Sequence, residues 1–432
     1  MSGSLGTRPP SIVLCGAGIS VAPSAAVPSW WGFNQAVLTE LRRRFLGEHS
    51  APKRAAPALA RLSLDDLDVA EFSQLVSNAF AGGTWFEVLS VLDGATPNIN
   101  HKTLASWARE GSLQAVVTTN FDTLTERALE SVAVPFRAYD ALVDEVPHSS
   151  ESSFKVVKLH GSAPRRATLV DLAAQKRRGL PPQWQDWLEW NFASSRVIVA
   201  GFSGADLALG DDYLRLKASS SRTPHLSWLV RPGQKPASEA EAVMRLLGRR
   251  GGFVEGVLPD AWPSLGAPDV ARSTNDERVD DAEPDVSAAI AAWLSHPMVD
   301  ADTCGLAMTR LLDAAGNKSA AQSLRTSILT RVRRRLRVGL NVTGVTRAAL
   351  QIGQLAGDEP FARAEKAVYC LGLAARAFDA VLLHLPNEAR ELESLRLELA
   401  HNKATILSNI ARFEILRGRL GEASNALQEA AQ

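Results

Sequence analysis

The chain has 432 residues, enough for two or three domains, each with a core of its own. Lys plus Arg and Asp plus Glu each total 47, so no net field draws the molecule to nucleic acid or a membrane surface, and such binding would need a local patch. Three cysteines, Cys15, Cys304 and Cys370, lie far apart, which excludes a four-cysteine zinc module, gives no disulfide framework and suits a reducing cytoplasm.

The N-terminal MSGSLGTRPP has neither a long apolar core nor a cleavage pattern, so a secretory leader is not expected. No apolar run reaches the roughly 18 residues that a membrane span requires. Between Ser11 and about Asp260, short apolar β-rich runs alternate with helical periodicity. The runs are Ile12–Cys15, Ala115–Thr118, Val156–Leu159, Val197–Ala200, Leu226–Val230 and Gly252–Glu255. They are continuous rather than alternating, as in parallel strands buried on both faces. This pattern predicts an α/β fold, a Rossmann-like doubly wound parallel sheet.

After the first run, Ser29 is placed to cap a helix on which Trp30, Phe33, Val37, Leu41 and Phe45 form one apolar stripe. Residues 50–110 read as helical and make a long crossover, a helical subdomain inserted over the sheet edge. Residues 261–285 are rich in Pro, Asp and small polar residues and read as a linker. From 286 to 432 strand signals nearly vanish, which predicts an all-α helical-repeat domain. Ala411, Gly418, Ala423 and Ala430 stand at the spacing of the small packing residues of tetratricopeptide repeats. The repeat's closing proline would fall beyond Gln432, so the repeat is expected to run past the chain's end. The basic run Arg331–Arg337 reads as a solvated, salt-bridged helix face rather than a nucleic-acid surface, because no aromatic interleaves it.

Four motifs carry the chemistry, each at the end of a predicted strand. Cys15-Gly16-Ala17-Gly18-Ile19-Ser20 offers two glycines for a sharp turn and exposed N–H groups for a pyrophosphate; taken alone, it reads first as a plain strand–helix turn. In Thr118-Thr119-Asn120-Phe121-Asp122, Asn120 is suited to hold a ribose hydroxyl or orient a water, or to form an Asx-turn. Thr123 and Glu126 then have the spacing of a capping box, to which Asp122 would also belong. Lys158-Leu159-His160-Gly161-Ser162 places a histidine where a base near neutral pH is wanted, although a lone histidine there reads also as a structural residue. Gly201-Phe202-Ser203-Gly204-Ala205-Asp206 has small residues able to admit a sugar or phosphate, and Asp206 serves a site or a cap.

Taken in order, these motifs resemble the sirtuin family over roughly residues 11–260. GAGIS is similar to its phosphate loop, TTNFD to a variant of its asparagine motif found in bacterial defence-type sirtuin-like domains, KLHG to its histidine motif and GFS to its later ribose-side loop. Pro97 and His101 are similar to a helix of the family, where His101 reads as structural. Two departures point away from deacylation. Ala26-Val27-Pro28-Ser29-Trp30-Trp31 stands where deacylases carry GIPDFR, and the zinc module is missing.

The resemblance therefore implies a catalytic domain over 1–260 that hydrolyses NAD+ to nicotinamide and ADP-ribose in antiphage defence. A deacylase or ADP-ribosyltransferase, or a non-catalytic sensing module, are the alternatives. It implies Asn120 and His160 as the catalytic pair. Gly16, Ala17, Gly18, Ser20, Thr118, Asp122, Gly201 and Ser203 would bind NAD+, with Trp30 and Phe33 either covering the nicotinamide or packed in the core. NAD+ is then a substrate, with no metal. The expected setting is the cytoplasm, as a homo-oligomer, with a regulatory or phage-derived protein meeting the C-terminal helices and no membrane or nucleic-acid partner.

Overall fold

The computed structural model describes residues 9–22, 24–25, 27–80, 84–93, 96–148, 150–208, 213–268, 286–296, 299–338 and 419–431, with isolated positions between 347 and 414. Most of the expected linker, residues 269–285, lies outside them, as does Gly418 of the expected repeat. The chain forms two compact units. One comprises Met1–Ala36, Val69–Gln74 and Phe86–Ala289, the other Val37–Asp68, Leu75–Trp85 and Ile290–Gln432.

The first unit holds a sheet of seven strands: β1 (Ser11–Cys15), β2 (Leu113–Thr118), β3 (Phe136–Asp140), β4 (Phe154–Lys158), β5 (Arg196–Ala200), β6 (His225–Val230) and β7 (Gly251–Glu255). Their order is β3-β4-β2-β1-β5-β6-β7 and every pairing is parallel. The chain lays β2, the edge strand β3 and then β4 between them on one side of β1, and returns to lay β5 on the other, so the topological switch falls between β1 and β5. This is the doubly wound α/β architecture that the sequence predicts.

Alternate residues of the central strands feed two cores. Ile12, Leu14, Val117 and Val199 face Trp184, Leu188 and Phe192 of the helix Pro182–Ser194. Val13, Cys15, Val116 and Ile198 face Leu104 and Trp107 of the helix Ile99–Arg109. Each such aliphatic side chain contributes about 1.5–3 kcal/mol by leaving water, and the double-sided burial is why these runs show no polar alternation.

In the second unit, the helix Ala301–Ala314 packs on Lys318–Val338. Gly305 lies so close to the Phe45 ring that a Cβ there would come within 2.9 Å of it. Phe80 packs on Trp293 with centroids 4.6 Å apart, and Trp85 meets the same indole edge-on at 5.8 Å. Two arginines of the basic run are tied down by carboxylates. Arg331 bonds Asp302 at 2.7 Å, and Arg335 bonds Asp300 and Asp302, each at 2.7 Å. Among the described residues no helix is long and apolar enough to cross a membrane.

The inserted segments 37–68 and 75–85 thus share a core with residues that follow 290. A fragment ending at residue 285 would strip Phe45, Phe80 and Trp85 of their cover. Such a fragment is expected to aggregate or bind a hydrophobic dye when expressed alone, whereas the full chain elutes as a single folded species.

Candidate functional site

Strand register decides where the loops meet. Cys15 pairs with Thr118 and with Ala200, and Thr118 pairs with Lys158, so the carboxyl ends of β4, β2, β1 and β5 lie level. In an open parallel sheet that edge, at the switch point, is where ligands bind. A cavity of about 820 Å³ opens there. Ala17, Gly18, Ser20, Asn120, Asp122, His160, Gly201 and Ser203 all line it, while Gly16 and Thr118 do not. Trp30 is also in the wall, whereas Phe33 is fully buried in the core.

The glycines of the first loop are needed for contact between loops. The Gly18 N–H donates to the Gly201 carbonyl at 2.8 Å, and a Cβ on Gly18 would stand 2.7 Å from Gly201 Cα. Gly201 itself holds φ +66°. Gly16 backs this packing from behind the wall, and the Thr118 hydroxyl accepts from the Asn120 N–H at 3.0 Å. Gly161, with φ +79°, turns the chain after His160 so tightly that a Cβ there would overlap the Thr168 carbonyl.

Asn120 and His160 are both buried, and each presents an unsatisfied atom. Asn120 Nδ2 donates to Ser20 Oγ at 3.2 Å, which leaves Oδ1 buried without a partner. His160 hydrogen-bonds the Thr119 backbone, and its Nε2 is likewise buried and unpartnered. Nε2 lies 4.0 Å from Asp206 Oδ2, beyond hydrogen-bond reach. The His160 ring sits between Phe121 (6.3 Å) and Tyr213 (5.8 Å), and Trp30 meets Phe121 edge-on at 6.1 Å.

Asp122 is occupied by structure. Oδ1 accepts from the Leu124 N–H at 3.1 Å and Oδ2 from Ser20 Oγ at 3.0 Å. The capping box expected from Thr123 and Glu126 does not form. The Thr123 hydroxyl donates to Asp93 at 2.7 Å, and Glu126 turns to Lys158 at 3.2 Å. A buried ammonium outcompetes a local cap for that carboxylate.

Lys158 is a site residue that the sequence motifs do not single out. Wholly buried, it donates to the Asp122 carbonyl as well as to Glu126, and so anchors the Asn120 loop from beneath. Burial penalises its charge, but the Glu126 and Asp122 carboxylates outweigh that and hold its pKa above the usual lysine value. The available signal is a lysine closing an otherwise apolar strand. Lys176 is a second such cation, 3.0 Å from Asp206 and 3.9 Å from Asp171.

His160 is pushed down to about 3, by burial first and by the Lys176 charge second. His101 is pushed down to about 3 by burial and by Lys158; its Nδ1 accepts from the Asn98 N–H and its Nε2 meets Ser20 Oγ at 3.2 Å. Both rings are neutral at pH 7. Between about pH 6.5 and 3 the unfolded chain binds protons that the folded chain refuses, so stability falls as pH drops through that window and is unaffected by these groups above it. Each histidine contributes at most ~1.4 kcal/mol per pH unit. Denaturant titrations should show the loss beginning near pH 6.5, and a His160→Gln variant should have a shallower slope.

The cavity at the carboxyl edge of the doubly wound sheet thus brings together two buried, unsatisfied polar atoms from the ends of β2 and β4. Residues 114–247 match a family described as SIR2-like domain. That stretch takes in the Asn120, His160 and Gly201–Ser203 loops but not the glycine loop. No curated protein matched the chain. Among solved structures, a mutant Sir2 homologue in complex with 2′-O-acetyl ADP ribose aligns over 55% of this chain and 90% of its own, at 17% identity and a TM-score of 0.30. Among the described residues no group of three or more His, Cys, Asp or Glu gathers as a metal site.

Proposed function

We propose that this protein is an NAD+ glycohydrolase that cleaves NAD+ to nicotinamide and ADP-ribose, acting in bacterial antiphage defence by depleting the cofactor. One observation carries the chemistry: Asn120 Oδ1 and His160 Nε2, both buried and without partners, face one cavity from neighbouring strand ends. Similarity of residues 114–247 to SIR2-like domains supports the choice of dinucleotide.

Breaking the nicotinamide–ribose bond develops positive charge at the anomeric carbon, and nicotinamide departs neutral, taking the bonding electrons. Asn120 Oδ1 accepts from the attacking water or a ribose hydroxyl and fixes its approach. The water oxygen bonds to the anomeric carbon, and the positive charge it takes on makes its proton acidic enough to pass to His160 Nε2, a neutral but weak base held at about 3 by burial and Lys176. Ser20, Asp122 and the Thr118 hydroxyl hold Asn120 in place. The loops at Ala17–Gly18 and Gly201–Ser203 wall the place of the phosphates and ribose, and the Gly18 N–H, given to the Gly201 carbonyl, is not among the donors offered to them. The helices beyond residue 286 restrain or assemble the enzyme, in a homo-oligomer or through a regulatory or phage-derived protein partner.

Incubating the full chain with NAD+ and separating the products tests this reading. Nicotinamide and ADP-ribose are expected without an acylated peptide and in the presence of a chelator. Release that requires the peptide would identify a deacylase instead.

A further inference from the structure

The cavity has an end that the cleavage chemistry leaves unused. Asn120 and His160 follow β2 and β4, one and two strands to one side of β1; β5 and β6 stand on the other. With strands about 4.8 Å apart, the end of β6 lies roughly 10 Å across from that of β1. A dinucleotide with its scissile ribose at Asn120 and its pyrophosphate over the switch point carries its adenosine to the end of β6.

There the wall is formed by Val230, Arg231, Gln234 and Lys235, with Val257 and Leu258 from the segment after β7. The carboxylates in the lining belong elsewhere. Asp122 is held by Ser20 and Leu124, and Asp171 and Asp206 lie by Lys176. From β6 onward no described lining residue is acidic. The site's other cations are neutralised, Lys158 by Glu126 and Lys176 by Asp206. Arg231 and Lys235 form no ion pair with any described residue.

A dinucleotide fold that takes a bare adenosine ribose holds its 2′-hydroxyl with a carboxylate, whereas an arginine in that place accommodates a 2′-phosphate. The guanidinium fork matches a pair of phosphate oxygens, and a lysine adds a point charge. We propose that Arg231 and Lys235 form a phosphate subsite, and that the cavity takes an adenine dinucleotide phosphorylated on its adenosine ribose, NADP+ in preference to NAD+. The choice of substrate, though not the phosphate subsite, rests on the dinucleotide-cleavage reading.

Calorimetric binding of adenosine 2′,5′-bisphosphate and of 5′-AMP to the full chain reads the subsite without turnover. The bisphosphate is expected to bind at least tenfold more tightly. An Arg231→Ala/Lys235→Ala variant should erase that difference while keeping 5′-AMP affinity within twofold. Equal affinities in the wild type would overturn the proposal. So would a double variant that weakens both ligands alike, because the two cations would then serve the phosphate common to both. In turnover, kcat/KM for NADP+ should exceed that for NAD+ about tenfold and fall to the NAD+ value in the double variant. A retained bisphosphate preference with neither dinucleotide cleaved would remove the cleavage reading and leave the subsite standing.

Discussion

Asn120→Ala and His160→Ala are each expected to lower kcat for nicotinamide release by about two to four orders of magnitude, the usual contribution of a positioned acid–base group. The direction follows from what each side chain does in the fold. Asn120 Oδ1 and His160 Nε2 bond nothing in the protein, so removing them deletes no structural contact of those atoms. Asn120 Nδ2 loses its bond to Ser20, a net cost of about 1 kcal/mol. His160 leaves a gap beside Phe121 and Tyr213, so its variant must be shown to be folded by circular dichroism. KM should change little, because the phosphates and adenosine are held by other loops. The double variant should be scarcely slower than either single one, since both groups serve one step. Full activity in either folded single variant would contradict the assignment.

The central strands are legible because they are buried on both faces, as at Ile12–Cys15 and Ala115–Thr118, whose apolar runs have no other use. β3 is hidden because Phe136-Arg137-Ala138-Tyr139-Asp140 lies at the sheet edge with Arg137 and Ala138 exposed, so its composition is that of a loop. The site loops are legible because each follows a readable strand. What joins them is not, since no local pattern pairs Gly18 with Gly201 across the switch point. The apolar stripe from Trp30 to Phe45 predicts a helix but not that Phe45 packs beside Gly305, a contact between segments far apart in the chain. Thr123 and Glu126 show local signals losing outright: their spacing is that of a cap, and a buried cation takes the carboxylate.

That cation is where the second large effect is expected. Lys158→Met should cost about 3–5 kcal/mol of stability, the range for breaking a buried pair and leaving its partner charged and alone. Met matches the lysine stem in length and flexibility, so the loss reports the ammonium rather than a void. Glu126 is the group left behind. Burial already holds its pKa above the usual glutamate value, and without Lys158 it would take up a proton closer to neutral pH. Adding Glu126→Gln removes the orphaned charge, so the double variant should be more stable than Lys158→Met alone, by about 1–3 kcal/mol in a double-mutant cycle. Activity should not return with stability. The Asp122 carbonyl still lacks its donor, and the loop that aims Asn120 is no longer anchored from below. Urea titrations of the four proteins, paired with nicotinamide release, separate the two roles. If Lys158→Met costs under about 1 kcal/mol, or Glu126→Gln worsens it, the ammonium is not what holds the loop.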